Sequence, residues 1–302
     1  MIWFLARCGI TVGLLALLIW QLGAGLIIER MWTLSLGPLV LVAILLAVQL
    51  VLSAWRWKAL VSRFACVQVS TADLCRFLGA SHFYGEFLPS TIGGDVVRTA
   101  MLAQQTGVAP ATLSVVLDRI TGLAMLLLMI VALLPLIGFR IDHGSAFVAL
   151  AILGIGGLLA IGVLLTLRYK FILGWLPGPA AIVPQISECL QEALFSRTLR
   201  PQIVGCGLLV QLLSVVLFFL LSRAIGVPLP FFDCLLVVPP ALLIAALPLS
   251  LSGWGIREGA LAGGFALVGG AVPADVVAVS ILYGLTAPAI GAVYAVLSLL
   301  RH

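Results

Sequence analysis

Two short segments place charged residues beside proline and glycine inside otherwise apolar sequence. Pro89 in the first and Pro248 in the second are each followed nine residues later by an arginine, Arg98 and Arg257. Because proline removes a backbone donor and glycine destabilises a helix interior, both segments predict a helix that stops and restarts. A restarted helix exposes unpaired N–H groups and the positive end of its dipole. With a guanidinium nearby, each break indicates a binding site for an anion such as phosphate.

Glycine and small polar residues at both breaks fit the same chemistry. Glycine lets a ligand approach the backbone, and hydroxyl side chains cap helix starts. Trp254, at the second break, either packs the turn or lines the path. The candidate binding residues of this group are Ser90, Thr91, Gly93, Gly94, Ser250, Ser252, Gly253 and Trp254.

Further ionisable residues surround the two arginines. Ionisable side chains within a membrane are costly, so they are functional candidates by default. We expect a network that surrounds the anion and consists of Glu86, Asp95, Asp118, Arg119 and Glu258.

The alternative is that these charges only neutralise one another. Asp95 and Arg98 are spaced i,i+3 on one helix face, which favours a local pair. The adjacent residues in Asp118-Arg119 and Arg257-Glu258 have diverging side chains, so we expect their partners on other helices. His82 and Glu86 are spaced i,i+4 and form either a proton-coupling pair or a plain hydrogen bond.

The composition places the whole chain in a membrane. Of 302 residues, 63% are hydrophobic and 9% charged, with a mean hydropathy of +1.27, whereas soluble domains carry about 25% charged residues. The apolar runs are long and continuous, which favours helices over the alternating strands of a barrel. We therefore predict an all-α, polytopic membrane helix bundle with about six full crossings and two re-entrant helical hairpins.

The crossings are predicted at residues 8–28, 34–54, 113–137, 146–167, 203–222 and 276–300. The first is interpreted as a retained anchor, because its apolar run is long and no clear cleavage site follows. Ten lysines and arginines, Arg56 among them, fall on one side and three on the other. This asymmetry predicts cytoplasmic termini in a bacterial-type inner membrane. Six tryptophans, including Trp55 and Trp57, fall near predicted interfaces and are expected to act as anchors.

No cofactor or metal is expected, because the six cysteines and three histidines are scattered without ligand spacing. The formal net charge of +5 is accounted for by topology, so no nucleic-acid partner is expected. The predicted partners are membrane lipids, with an anionic lipid headgroup as substrate. A second copy of the chain and a lipid synthase both stay open as protein partners.

The two halves of the chain resemble each other. Beyond the shared Leu-Pro and arginine spacing, GVAPA at 107–111 matches GAVPA at 270–274. We predict one transmembrane domain over 1–302, made of repeat A (1–140) and repeat B (141–302), each with three crossings and one hairpin. Three crossings is an odd number, so the second copy is inverted, an arrangement typical of transporters with a site near the midplane.

Three ordered motifs resemble a known family over nearly the whole chain. They are GEFLPSTIGGDVVR at 85–98, LDRITGL at 117–123 and SGWGIREG at 252–259, with Ser252 where many relatives carry glycine. They resemble the flippase-like transmembrane region of lysylphosphatidylglycerol synthases. The resemblance implies lipid translocation; the soluble aminoacyltransferase domain of that family is not expected in this chain.

The expected function is therefore that of a lipid flippase, not an enzyme. Its substrate is expected to be a phospholipid or a lipid-linked anionic headgroup. Two alternatives remain: a membrane-embedded enzyme acting on lipid phosphates, and a non-transporting membrane subunit of a lipid or glycolipid synthesis system. No nucleophile motif or nucleotide-binding loop in the sequence favours the enzyme.

Overall fold

A computed structural model describes residues 34–87, 93–140, 144–166, 182–247, 253–269 and 271–299, with Gly13, Gly25 and Ser250 as isolated positions. Within these residues all regular structure is helical. A π-helical turn (Val61–Ala65) directly follows the first of ten α-helices. The α-helices are α1 (Leu36–Leu60), α2 (Thr71–Phe87), α3 (Gly93–Thr106), α4 (Val108–Arg140), α5 (Gly144–Thr166), α6 (Ile182–Phe195), α7 (Arg200–Ala224), α8 (Phe231–Ala245), α9 (Ile256–Val268) and α10 (Pro273–Leu299).

Among the described residues, five helices are long and apolar enough to cross a membrane. They are α1 with its π-helical turn, α4, α5, α7 and α10, with apolar stretches of 22 to 33 residues; about 20 residues suffice to cross the hydrocarbon core. These helices match five of the six predicted crossings. The sixth, at 8–28, lies almost wholly outside the described residues. The protein is a multi-pass, α-helical membrane protein.

Four shorter helices occupy the two segments predicted to be broken. The first segment forms α2 and α3, of 17 and 14 residues, and the second forms α8 and α9, of 15 and 13 residues. In the described residues each is shorter than the roughly 20 residues of a typical crossing. Residues 88–92, 248–249 and 251–252 lie outside the described residues, and with them the candidates Ser90, Thr91 and Ser252.

Helix packing follows the same pattern in both halves. α2 packs on α3 and α10, and α8 packs correspondingly on α9 and α4. α3 packs on α4, as α9 packs on α10, and α1 packs on α2, as α7 packs on α8. α1 and α7, the second crossings of the two predicted repeats, pack directly against each other.

The amphipathic helix α6 covers the end of α5. The hydroxyl of Ser187 donates to the carbonyl of Leu165 at 3.0 Å, and the side-chain amide of Gln191 donates to the same oxygen. The last carbonyls of a helix have no intrahelical partner, so α6 satisfies one that would otherwise be orphaned.

Candidate functional site

The first break brings the start of α3 into close contact with α2. A Cβ added to Gly94 would lie 2.5 Å from the backbone oxygen of Ser81, closer than real Cβ atoms come to other heavy atoms. Gly94 is therefore required by packing, and both Gly93 and Gly94 are buried. This contact places the first turn of α3, with Asp95, inside the protein.

Five charged side chains form an alternating ladder at this break. Arg56 donates through Nε to Oδ1 of Asp118 at 3.0 Å. Arg98 donates through Nη1 to Oδ2 of Asp118 at 2.8 Å, and through Nε to Oδ1 of Asp95 at 2.9 Å. Arg119 completes the ladder by pairing through Nε with the second carboxylate oxygen of Asp95. The order is arginine, aspartate, arginine, aspartate, arginine.

The ladder is buried at one end and open at the other. Arg56, Asp118, Arg98 and Asp95 are each less than 10% exposed, whereas the side chain of Arg119 is 55% exposed. Buried charges are tolerated when each has an opposite partner and satisfied hydrogen bonds. In this arrangement Arg98 is enclosed between two carboxylates, and Arg119 presents the accessible guanidinium.

Two sequence predictions need correction here. Arg56 was placed with the cytoplasmic topology residues, but it is buried and pairs with Asp118. Trp57 was predicted to be an interfacial anchor, but it is fully buried. Its indole donates to Ser114 at 3.3 Å, and the guanidinium of Arg98 stacks on its ring at 5.0 Å. The helix α1 continues to Leu60, beyond the predicted end of the crossing at residue 54. Arg56 and Trp57 therefore lie within the helix, on its buried side.

The second break holds its arginine in a closed, neutral cluster. Glu258 accepts hydrogen bonds from Arg257 Nη2 at 2.6 Å and from the Ser280 hydroxyl at 2.8 Å. Its other oxygen accepts the backbone N–H of Gly255, at the start of α9, at 2.6 Å. The positive end of the α9 dipole is therefore occupied by the protein's own carboxylate. The prediction that Arg257 and Glu258 diverge is wrong, because they pair with each other.

Backbone conformation and ring stacking shape this second cluster. Gly253 adopts φ +81°, which disfavours residues with a side chain. Trp254 stacks on the guanidinium of Arg257 at 4.7 Å. A Cβ on Gly284 would lie 2.2 Å from an Arg257 nitrogen, so glycine makes room for the guanidinium. The Ser250 hydroxyl is buried and has no hydrogen-bond partner among the described residues.

A cavity of about 670 Å³ lies along α3 and α4. Asp95 and Arg119 line the end far from the turn that joins the two helices. Ala246, just after α8, reaches the same cavity, so the first and second broken segments both contribute to it. Its remaining lining residues are Val96, Thr99, Ala100, Ala103, Val108, Thr112, Val115, Val116 and Ile120.

The structure brings most of the predicted site residues into two clusters. Asp95, Arg98, Asp118 and Arg119 meet at the first break, and Trp254, Arg257 and Glu258 meet at the second. His82 lies within electrostatic reach of the first cluster. Glu86 is in the last turn of α2, but its side chain is outside the described part of the chain.

Sequence reasoning missed Arg56, Trp57 and Ser280. Arg56 and Trp57 directly follow an apolar run, and this position in the sequence is typical of interfacial residues. Ser280 lies within an apolar helix, where a serine usually needs no explanation.

These features define the class of protein: a multi-pass helical membrane protein with two broken helices and charged residues clustered at each break. The chain belongs to the family described as the lysylphosphatidylglycerol synthase TM region, whose model matches residues 4–293. Membership gives the protein a role connected with membrane lipids. No curated protein and no solved structure matches the chain.

Proposed function

We propose that this protein translocates a lipid with an anionic headgroup across the cytoplasmic membrane, acting as a transporter and not as an enzyme. The observation that carries the proposal is the cavity along α3 and α4. It combines an apolar lining with an accessible guanidinium, and both broken segments contribute to it. An amphiphile needs this combination of surfaces, since its chain is apolar and its headgroup is charged.

An inverted repeat of residues 1–140 and 141–302, each with a re-entrant hairpin, is part of the proposal. The matched helix packing of the two halves supports it. Inverted repeats with broken helices suit alternating exposure of a site near the midplane.

Arg119 is the residue that we assign to the headgroup. Arg98 and Arg257 are nearly fully buried, and their donors are engaged by carboxylates. Arg119 is also paired with Asp95, but more than half of its side chain is exposed and faces the cavity. Because more than half of this side chain is exposed, phosphate oxygens can reach its guanidinium.

The other predicted site residues have supporting roles in this proposal. Asp95, Asp118 and Arg98 hold Arg119 in place, and Glu258 and Arg257 form the corresponding cluster at the second break. Gly94 and Gly253 allow close approaches at the two breaks, to Ser81 and to Ala245 respectively, and Gly93 is buried beside Gly94. Roles for Ser90, Thr91, Ser252 and Glu86 stay predictions.

An inner-membrane location with cytoplasmic termini is part of the proposal, and charge placement supports it. Without Arg56, which is buried, nine basic residues of the original ten remain on the predicted cytoplasmic side, against three on the other. The asymmetry therefore persists.

Transport by Arg119 variants tests the proposal. The full chain is reconstituted in vesicles with a panel of headgroup-labelled fluorescent lipids, and translocation is followed by protection from an external quencher. We expect Arg119→Gln to slow transport of anionic lipids by about 10- to 100-fold, as the loss of a charged hydrogen bond implies. Arg119→Lys should rescue part of the rate, because a point charge cannot bind phosphate bidentately.

Arg223→Gln serves as the matched control, because Arg223 is an exposed arginine that does not line this cavity. It should transport at the wild-type rate. Wild-type transport by Arg119→Gln contradicts the assignment of the headgroup to Arg119. Absence of transport by the wild-type chain for every lipid in the panel supports the alternative of a non-transporting subunit.

A further inference from the structure

The groove formed by α3 and α4 has the length of one leaflet. It extends along α4 from Val108 to Arg119, eleven helical steps that span about 16 Å at 1.5 Å each. The hydrocarbon core is about 30 Å thick, so the groove covers roughly half of it. Charged residues occur among its lining residues only at one end, where Asp95 and Arg119 lie; two threonines are the other polar members.

The groove opens on the outer surface of the helix bundle. Val96 is 62% exposed and Val108 is 72% exposed, and they come from the two helices that form the groove. Ala100 and Thr112 are exposed as well. A chain can therefore enter from the side, without passing through the ends of the bundle.

The charged end of the groove, where Asp95 and Arg119 lie, indicates which kind of amphiphile fits. The accessible guanidinium of Arg119 favours a negatively charged oxygen, and the apolar walls can pack against a hydrocarbon chain. A free anion would leave the apolar length unused, and an uncharged lipid would leave the arginine without a new partner. A lipid with an anionic headgroup satisfies both surfaces at once.

We propose that the α3/α4 groove is a chain-binding subsite that holds one hydrocarbon chain of an anionic lipid whose headgroup contacts Arg119. The inference rests on the proposed function and adds that the protein selects its substrate by chain length as well as by headgroup charge. Because the chain already lies in hydrocarbon before it binds, the groove contributes van der Waals packing to affinity and not transfer from water. Blocking the groove should therefore weaken binding of long-chain lipids selectively.

Binding to the purified full chain in detergent micelles tests this, with affinity measured by native mass spectrometry. The probes are dipalmitoyl phosphatidylglycerol, dihexanoyl phosphatidylglycerol, dipalmitoyl phosphatidylcholine and inorganic phosphate. Ala100→Phe fills the groove without changing a charge. Ala149→Phe, at an exposed alanine of α5, is the matched control. Thr112→Phe, on the opposite wall, replaces Ala100→Phe if that variant does not fold.

We expect dipalmitoyl phosphatidylglycerol to bind the wild-type chain more tightly than the other three probes. Ala100→Phe should weaken its binding severalfold relative to Ala149→Phe, because the phenyl ring displaces packed chain, and leave dihexanoyl phosphatidylglycerol unchanged. Arg119→Gln should weaken both phosphatidylglycerols. Equal binding of the two dipalmitoyl lipids identifies the groove as ordinary annular surface and overturns the inference. Equal affinities in Ala100→Phe and Ala149→Phe overturn it too.

The transport assay and the binding assay together distinguish a failure of this inference from a failure of the proposed function. If Arg119→Gln abolishes transport while Ala100→Phe binds long chains normally, the flippase proposal stands and the chain subsite is wrong. If Ala100→Phe loses long-chain binding while Arg119→Gln transports normally, the subsite stands and the headgroup assignment is wrong.

Discussion

The charge ladder predicts that the two aspartates differ in their importance for stability. Asp118 lies between Arg56 and Arg98, both of which are buried. Asp95 lies between Arg98, which also contacts Asp118, and Arg119, which is half exposed. Asp118→Asn therefore leaves the buried guanidinium of Arg56 without a carboxylate, and leaves Arg98 with only Asp95, which is shared with Arg119. Asp95→Asn leaves every buried arginine with one carboxylate.

The structure sets the magnitude of each effect. Breaking a buried ion pair by removing one partner costs about 3–5 kcal/mol, so Asp118→Asn should lower the free energy of unfolding by at least this amount. The loss of a charged hydrogen bond costs about 1.5–3 kcal/mol, which is the expectation for Asp95→Asn. Since folded proteins are typically stable by about 5–15 kcal/mol, this difference is easily measured.

Double variants sharpen the prediction. Adding Arg98→Met to Asp95→Asn leaves Arg56 and Asp118 as a closed buried pair, so much of the lost stability should return. Adding Arg98→Met to Asp118→Asn leaves Arg56 buried without a carboxylate, so stability should stay low. Sequence spacing alone identifies only the Asp95–Arg98 pair, so it does not predict that the two aspartates differ in their importance for stability.

The assay is equilibrium unfolding of the purified protein in mixed micelles with increasing sodium dodecyl sulfate, followed by tryptophan fluorescence. Asp73→Asn is the control, because Asp73 pairs with Arg76 at the surface and an exposed pair contributes only about 0–1 kcal/mol. Equal stability of Asp118→Asn and Asp73→Asn would refute the ladder. So would a larger loss for Asp95→Asn than for Asp118→Asn.

Three further predictions follow from close packing, ring stacking and topology. Gly94→Ala should lower the free energy of unfolding by about 1–3 kcal/mol, because the added methyl group overpacks against the backbone of Ser81. Gly156→Ala, with open space around it, should leave the free energy of unfolding unchanged. Equal thermal stabilities of the two variants would contradict this prediction. Trp57→Phe should destabilise the protein by about 1–2 kcal/mol by weakening the stacked arginine and removing the indole hydrogen bond, and Trp55→Phe, at an exposed site, should be neutral in the same unfolding assay. Reporter fusions at both ends of the chain should be active only in the cytoplasm, and a periplasmic signal at either end contradicts the proposed orientation.

Local sequence determined the helices and the positions of the breaks. A crossing needs about 20 consecutive apolar residues, which is a property of one segment, and α4, α5, α7 and α10 lie where such segments were predicted. Proline and glycine act on the backbone of their own segment, so the interruptions between α2 and α3 and between α8 and α9 were also predictable. The requirement for glycine at 94 has a second cause, contact with α2, that no local pattern contains.

The partners of the charged side chains were decided only by the tertiary structure. Asp118 pairs with Arg56, 62 positions away, because α1 and α4 pack with these two faces together. Arg257 pairs with its neighbour Glu258 because Ser280 of α10 binds both groups. Which arginine faces the cavity also depends on the rotation of α4 about its axis, and that rotation is fixed by packing against α3, α7 and α8. Spacing along one helix identified the ionisable residues. The energy of a charge pair depends on the distance between the two groups, and distances between helices are set by the assembled bundle. Only the bundle therefore distinguishes enclosed Arg98 from accessible Arg119.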